Sequence, residues 1–189
     1  MTDQQRLSHA QGTLYVLSGP SGSGKTSLCA ALLQCSPRLR LSVSATTRAP
    51  RPGEVDGVDY NFLDAESFEQ AIAEGQFLEH AWVHGNAYGT RKSDVQATLA
   101  EGHDMLLEID WQGAALVADA CPQACRIFIL PPSVDELCRR LTGRAQDADE
   151  VIERRVAAAR SEMAHAGGAQ YRKVHGDFDT AWCEIVEIC

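Results

Sequence analysis

The stretch GPSGSGKT, Gly19 to Thr26, constrains this chain more than any other. It lies between the apolar run TLYVLS and the helix-like run SLCAALL, and it satisfies G-x-x-x-x-G-K-[ST] at every fixed position. Such a loop must turn sharply from a strand into a helix. Its glycines allow positive φ, so that successive backbone amides converge as an anion nest at the positive end of the helix. Gly19, Pro20, Ser21, Gly22, Ser23, Gly24, Lys25 and Thr26 are therefore assigned to the phosphates of a nucleoside triphosphate. Lys25 is expected to reach the β- and γ-phosphates, and the Thr26 hydroxyl to ligate the Mg²⁺ that travels with them. A glycine-rich turn without a ligand is the bland alternative, and the strand before and helix after argue against it.

The remaining composition narrows the partners. With 189 residues the chain supports one compact domain with inserted subdomains. A net charge of −9 speaks against nucleic acid and against an anionic membrane surface. No apolar run approaches a membrane span, and the polar start MTDQQRLSHAQ lacks the apolar centre of a secretion signal. The seven cysteines contain no C-x-x-C pair and read as reduced thiols, so a cytoplasmic location is expected. Positive charge is nonetheless concentrated locally, as a phosphate site needs. Arg38, Arg40, Arg48 and Arg51 fall between Pro37 and Gly53 with no acid among them, and six arginines accompany four carboxylates from Arg139 to Arg160. Arg38, Arg40, Arg139 and Arg154 are read as solvated or ion-paired surface.

Alternating patterns predict strands over 13–18, SVSATT, 60–63, FLEHAWV, MLLEID, RIFIL and 171–174. Helices are predicted over 25–34, from about 66 under an Asp64 cap, 92–101, 112–120, 134–142, 148–165 and from about 177. Ser133 with Glu136, and Asp147 with Glu150, read as capping boxes, and GNAYGT as a turn. Strands alternating with helices imply an α/β fold with a parallel sheet covered on both faces. The closely spaced short strands between about 45 and 93 break that rhythm and mark an insertion.

Read together, SATTRAPRPGEVDGVDYNF, FLEHAWVHGNAYGT, LLEIDWQGA and ILPPSVDELCRRLTGRAQ resemble bacterial-type guanylate kinases, from about Gly12 to the C-terminus. The resemblance implies a P-loop nucleoside monophosphate kinase fold, three-layered around a central parallel sheet. It implies a core over about 12–44 and 94–189, a GMP-binding insertion at about 45–93 and a lid at about 134–160. The implied reaction moves the γ-phosphoryl group of ATP to GMP or dGMP with Mg²⁺. In that reading Arg48 and Arg51 clamp the GMP phosphate, to which Tyr60 and Tyr88 donate hydrogen bonds, while Ser44, Glu79, Thr90 and Asp110 read the guanine. Lys25, Arg48, Arg140, Arg144 and Arg155 are the implied catalytic cations.

Elementary chemistry agrees with these roles. Guanidinium forks match phosphate oxygens. A carboxylate accepts from both guanine N1–H and N2–H, whereas adenine turns a lone pair toward it, and unpaired buried groups discriminate strongly. No general base is required, because the acceptor phosphate is itself the nucleophile. Asp110 carries a second reading as a metal partner at a strand end, and Glu108 alternates with it along the same strand with its role open. The chain departs from the family in Ala145 after Arg144, in YRKVHGD with Lys173, His175 and Gly176, and in a final helix that stops at Cys189. The rival readings are a non-catalytic guanylate-kinase-like interaction module and a related kinase for another phosphorylated small molecule. A GTPase switch is disfavoured by the absence of N-K-x-D. Oligomeric state is left open.

Overall fold

Strand β1 (Leu14–Ser18) is buried along its whole length, so it must be covered on both faces. The computed structural model, which describes residues 11–83, 85–143, 149–174, 176 and 178–188, supplies that cover. A five-stranded sheet runs in the order β2-β7-β1-β8-β9, with β2 Leu39–Leu41, β7 Asp104–Glu108, β8 Cys125–Leu130 and β9 Tyr171–Val174. Every pairing in it is parallel. Side chains alternate between the two faces. Tyr15, Leu17, Leu106, Ile127 and Ile129 pack against helices α1 (Lys25–Cys35) and α7 (Phe178–Val186). Leu14, Val16, Met105 and Leu107 pack against α3 (Lys92–Ala100) and α4 (Trp111–Ala120). The result is a three-layer α/β fold, as expected.

Between β2 and α3 the chain builds a second, mixed sheet. Its order is β4-β3-β6-β5, with β3 Ala45–Thr46, β4 Asn61–Phe62, β5 Phe77–Val83 and β6 Asn86–Arg91. A small core of its own forms under α2 (Ala65–Ala73), where the Phe68 and Phe77 rings stack 4.6 Å apart. The Asp64 carboxylate accepts from the Ser67 amide at 2.7 Å and caps α2, as its sequence position predicts. Helices α5 (Val134–Gly143) and α6 (Asp149–Met163) bury Leu137, Leu141 and Ala159 between them. A 3-10 turn, Ala164–Gly168, then returns the chain to β9 and stacks His165 face to face on Trp111 at 3.6 Å. Among the described residues, no helix is long and apolar enough to cross a membrane.

Several local expectations are corrected. GNAYGT is not a turn but most of β6, held by antiparallel pairing to β5 and β3. SVSATT contributes only the two residues of β3, and Arg40 lies on a strand, β2, that its sequence does not announce. Strand β7 ends at Glu108, so Asp110 does not continue it; its carboxylate instead caps α4, accepting from the Gly113 amide at 2.9 Å. Ser133 Oγ accepts from the Glu136 amide, but the Glu136 carboxylate turns to Arg139 and Arg140, so the box is half formed. The box expected from Asp147 and Glu150 lies outside the described side chains.

Candidate active site

The loop between β1 and α1 is shaped by backbone that only glycine accepts comfortably. Gly19 has φ 142°, and a Cβ there would run into the carbonyl oxygen of Ile129 on the neighbouring β8. Gly24, at φ 96°, is the N-cap of α1 and supplies no side-chain cap to its first amides. Those amides are the donors that a helix N-terminus leaves for an anion. Lys25 Nζ donates to the carbonyls of Gly19 at 2.7 Å and Pro20 at 3.0 Å. Burial pushes the Lys25 pKa down, and the carboxylates of Glu108 and Glu162 oppose that shift. The Thr26 hydroxyl donates to Glu108 Oε1 at 2.6 Å, which gives Glu108 a definite partner.

This loop opens into a cavity of about 540 Å³ that also reaches the second sheet. Gly19, Ser21, Lys25, Thr26 and Glu108 line it from the core; Arg48, Arg51, Tyr60, Glu79 and Tyr88 line it from the insertion, with Ser44 and Asp110 on its wall. A smaller cavity of about 440 Å³ lies against α4 and the 3-10 turn and includes no residue of the loop.

A β-bulge explains how Glu79 faces this cavity. Residues two apart on a strand normally share a face. Between Phe77 and Glu79, however, β5 advances two residues while β6 advances one, because Phe77 pairs with Arg91 and Glu79 with Thr90. Phe77 therefore enters the small core under α2, and Glu79 turns the other way, toward α4. There its Oε1 accepts from Thr90 Oγ1 at 2.7 Å, with Glu79 only 5% exposed and Thr90 fully buried. Burial raises the Glu79 pKa to about 7, Asp110 adds to the rise, and the Thr90 hydrogen bonds hold it back.

One carboxylate holds the Arg48 side chain and the Arg51 backbone. Glu54 Oε1 takes Arg48 Nη2 at 2.8 Å, and Glu54 Oε2 accepts from the Arg51 amide at 2.7 Å. The Arg48 guanidinium also lies over the Tyr60 ring, 5.1 Å from its centroid, and Tyr60 meets Tyr88 edge-on at 6.1 Å. The hydrogen bond that Arg48 donates to Glu54 raises the Arg48 pKa, and burial raises that of Tyr60.

Arg140 lies beside the phosphate loop: its Nε bonds Glu136 at 2.8 Å and its Nη1 reaches the Ser23 carbonyl at 3.5 Å. Arg139 pairs with the same Glu136 but is 76% exposed, consistent with a surface role. Arg155 belongs to α6, with its side chain outside the described residues, and Arg144, Ala145 and His175 lie outside them entirely. Sequence does not single out Glu54, which holds Arg48 and is signalled only by being the first acid after a run of arginines, or Glu162, which lines the cavity from the end of α6 with no local signal.

Comparison with known proteins points one way. The family model for guanylate kinase matches residues 11–188. The chain is 55% identical over 177 residues to a guanylate kinase of Thiobacillus denitrificans, covering 94% of this chain and 85% of that protein. It is 54% identical over 190 residues to one of Pseudomonas syringae pv. tomato, covering 96% and 89%. Among solved structures it is similar to the crystal structure of guanylate kinase from Anaplasma phagocytophilum, with a TM-score of 0.77, 34% identity, and coverage of 95% of this chain and 85% of that one.

Proposed function

The chain belongs to the guanylate kinase family, and from that premise we propose how its side chains move the γ-phosphoryl group of ATP onto GMP. The observation that carries the reading is a single cavity lined both by Lys25 and Thr26 of the phosphate loop and by the buried Glu79 of the second sheet. The interaction-module alternative is not favoured, because the phosphate loop keeps its lysine and threonine.

ATP phosphates enter the hollow in front of α1, whose first amides have no side-chain cap. Lys25 exchanges the Gly19 and Pro20 carbonyls for β- and γ-phosphate oxygens, adding a full charge where negative charge is transferred. The residues at Thr26 fit Mg²⁺: a hydroxyl and the Glu108 carboxylate offer hard oxygen donors 2.6 Å apart. Mg²⁺ prefers such sparse protein ligation, completed by water and substrate phosphates, and when bound it neutralises phosphate charge. On the acceptor side, Arg48 and Arg51 clamp the GMP phosphate with Tyr60 and Tyr88, and Arg48 trades its bond to Glu54 for phosphate oxygens. Glu79 accepts the guanine N1–H and N2–H while Thr90 fixes its orientation, with Ser44 and Asp110 completing the base site. Arg140, with Arg144 and Arg155 from the proposed lid at 134–160, supplies charge to the transferring phosphoryl group. The insertion at 45–93 then acts as a GMP-binding subdomain on the core formed by 12–44 and 94–189.

The test is a coupled ADP-release assay with ATP and a panel of GMP, dGMP, AMP, CMP, UMP and ribose phosphates, on wild type, Lys25→Ala and Glu79→Gln. GMP and dGMP should be the substrates. Lys25→Ala should lower kcat by about 10²–10³-fold or more while calorimetry still detects GMP binding. Glu79→Gln should raise the KM for GMP and narrow the preference over AMP. Activity of Lys25→Ala within about tenfold of wild type, or unchanged base discrimination in Glu79→Gln, would contradict these roles.

A further inference from the structure

Helix α4 meets Glu79 at a glycine. Gly113 is buried in the first turn of α4, and glycine is a weaker helix former than alanine. Its conformation does not explain the choice, because Gly113 is absent from the residues with positive φ. Space does. A Cβ at Gly113 would lie 2.5 Å from Glu79 Oε2, 3.1 Å from its Cδ and 3.3 Å from Ile109 Cδ1. The Glu79 carboxylate thus occupies the volume that any side chain at this position would need. The amide of the same residue donates to Asp110 Oδ1 at 2.9 Å. One residue of α4 therefore touches both acids assigned to the base site, one through its amide and one through its missing side chain.

We propose that Gly113 is a positioning residue for base selection: its bare Cα forms the notch that lets the Glu79 carboxylate lie against α4 while Thr90 holds the other oxygen. The proposal rests on the assignment of Glu79 as the guanine reader. The atom a methyl group would strike is the far end of a flexible side chain, so the fold can absorb Gly113→Ala by rotating Glu79 rather than by moving backbone. Rotation to an ordinary contact moves the carboxylate by about 1 Å, and errors of that size in a positioned group cost up to about 10²-fold. The loss falls on guanine recognition and leaves the phosphate loop alone.

The experiment is a double-mutant cycle on the full chain with Gly113→Ala, Glu79→Ala and the pair, reading KM and kcat for GMP, KM for ATP, and GMP affinity by calorimetry. Gly113→Ala should raise the KM for GMP about tenfold or more, with kcat at saturating GMP within about threefold and KM for ATP unchanged. It should also compress the preference for GMP over IMP, which lacks the 2-amino donor. In the Glu79→Ala background the methyl group meets no carboxylate, so Gly113→Ala should change GMP affinity by less than about twofold. A loss of the same size in both backgrounds, or no loss in the native one, overturns the notch. If Glu79→Ala alone leaves GMP affinity intact, the guanine-reader assignment fails first, and the two failures stay distinct. Should Gly113→Ala not fold alone, the pair decides: a folded Glu79→Ala/Gly113→Ala protein supports a collision with the carboxylate, and an unfolded one overturns it.

Discussion

Glu79 is a carboxyl group whose ionisation the fold and the substrate push in opposite directions. Burial lifts its pKa from 4.5 to about 7 in the free protein, whereas two guanine donors favour the ionised form. GMP binding should therefore expel most of a proton at about pH 6.5 and almost none at about pH 8.5. Calorimetry in buffers of different ionisation enthalpy measures this directly, and the KM for GMP should rise as pH falls below about 7 while that for ATP does not follow it. Because the folded pKa lies above the unfolded one, Glu79 stabilises the free protein fully below 4.5, and that contribution is lost as pH rises through 7. Glu79→Gln should flatten both the proton release and this slope of Tm against pH. Binding with no proton release near pH 6.5 would remove Glu79 from the base site. At this scale sequence supplies the candidates for phosphate and guanine, the phosphate loop through its own motif and the guanine residues through the family resemblance. It does not say that Glu54 holds Arg48, since that depends on how the loop between them turns, or that Gly113 makes room for Glu79, since that contact joins segments brought together only by the fold.

The elements that sequence announces are those whose pattern outlasts local exceptions. Strand β1, α1 and α2 are legible because an apolar run, a glycine-rich break and an Asp64 cap coincide with their ends. Strand β6 is not, because Asn86, Gly89 and the adjacent Gly85 read as turn residues, yet pairing on both sides overrides that preference. Strand β2 is three residues long with two of them exposed, too short to show a period. The bulge in β5 is likewise invisible, and without it Glu79 would share a face with Phe77. How two elements approach also decides which glycines can be replaced. At Gly19 an added Cβ meets a backbone carbonyl of β8, and φ is 142°, so neither partner can yield as the flexible Glu79 side chain does at Gly113. Gly19→Ala should cost about 2–4 kcal/mol, lowering Tm and ATP affinity together. Thermal unfolding of Gly19→Ala beside Gly113→Ala checks the contrast, and equal Tm losses would contradict it.

At the scale of the molecule, the alternation of strands and helices makes the parallel sheet readable, while the mixed sheet between β2 and α3 shows only as a break in that rhythm. The arrangement has a functional consequence, because the cations assigned to one reaction stand on separate supports. Lys25 begins α1, Arg48 and Arg51 follow β3 in the second sheet, and Arg140 comes from α5. Two phosphate-bearing substrates repel each other, so the cations around them must converge when both are bound, and water must leave. In the free protein some of these groups are engaged elsewhere: Arg48 with Glu54 at 2.8 Å, Arg140 with Glu136 at 2.8 Å, and Lys25 with carbonyls of its own loop. Exchange of those partners for phosphate oxygens offsets the cost of drawing the second sheet and α5 together, and only both substrates present supply enough negative charge to recruit all the cations. A crystal structure with a bisubstrate analogue should therefore show a shorter Arg51 to Arg140 separation than the free protein, with Arg48 released from Glu54. Small-angle scattering should show a smaller radius of gyration with the analogue than with GMP or ATP alone. An unchanged separation in the analogue complex would mean that the site is preformed, and that convergence of the cations is no part of the reaction.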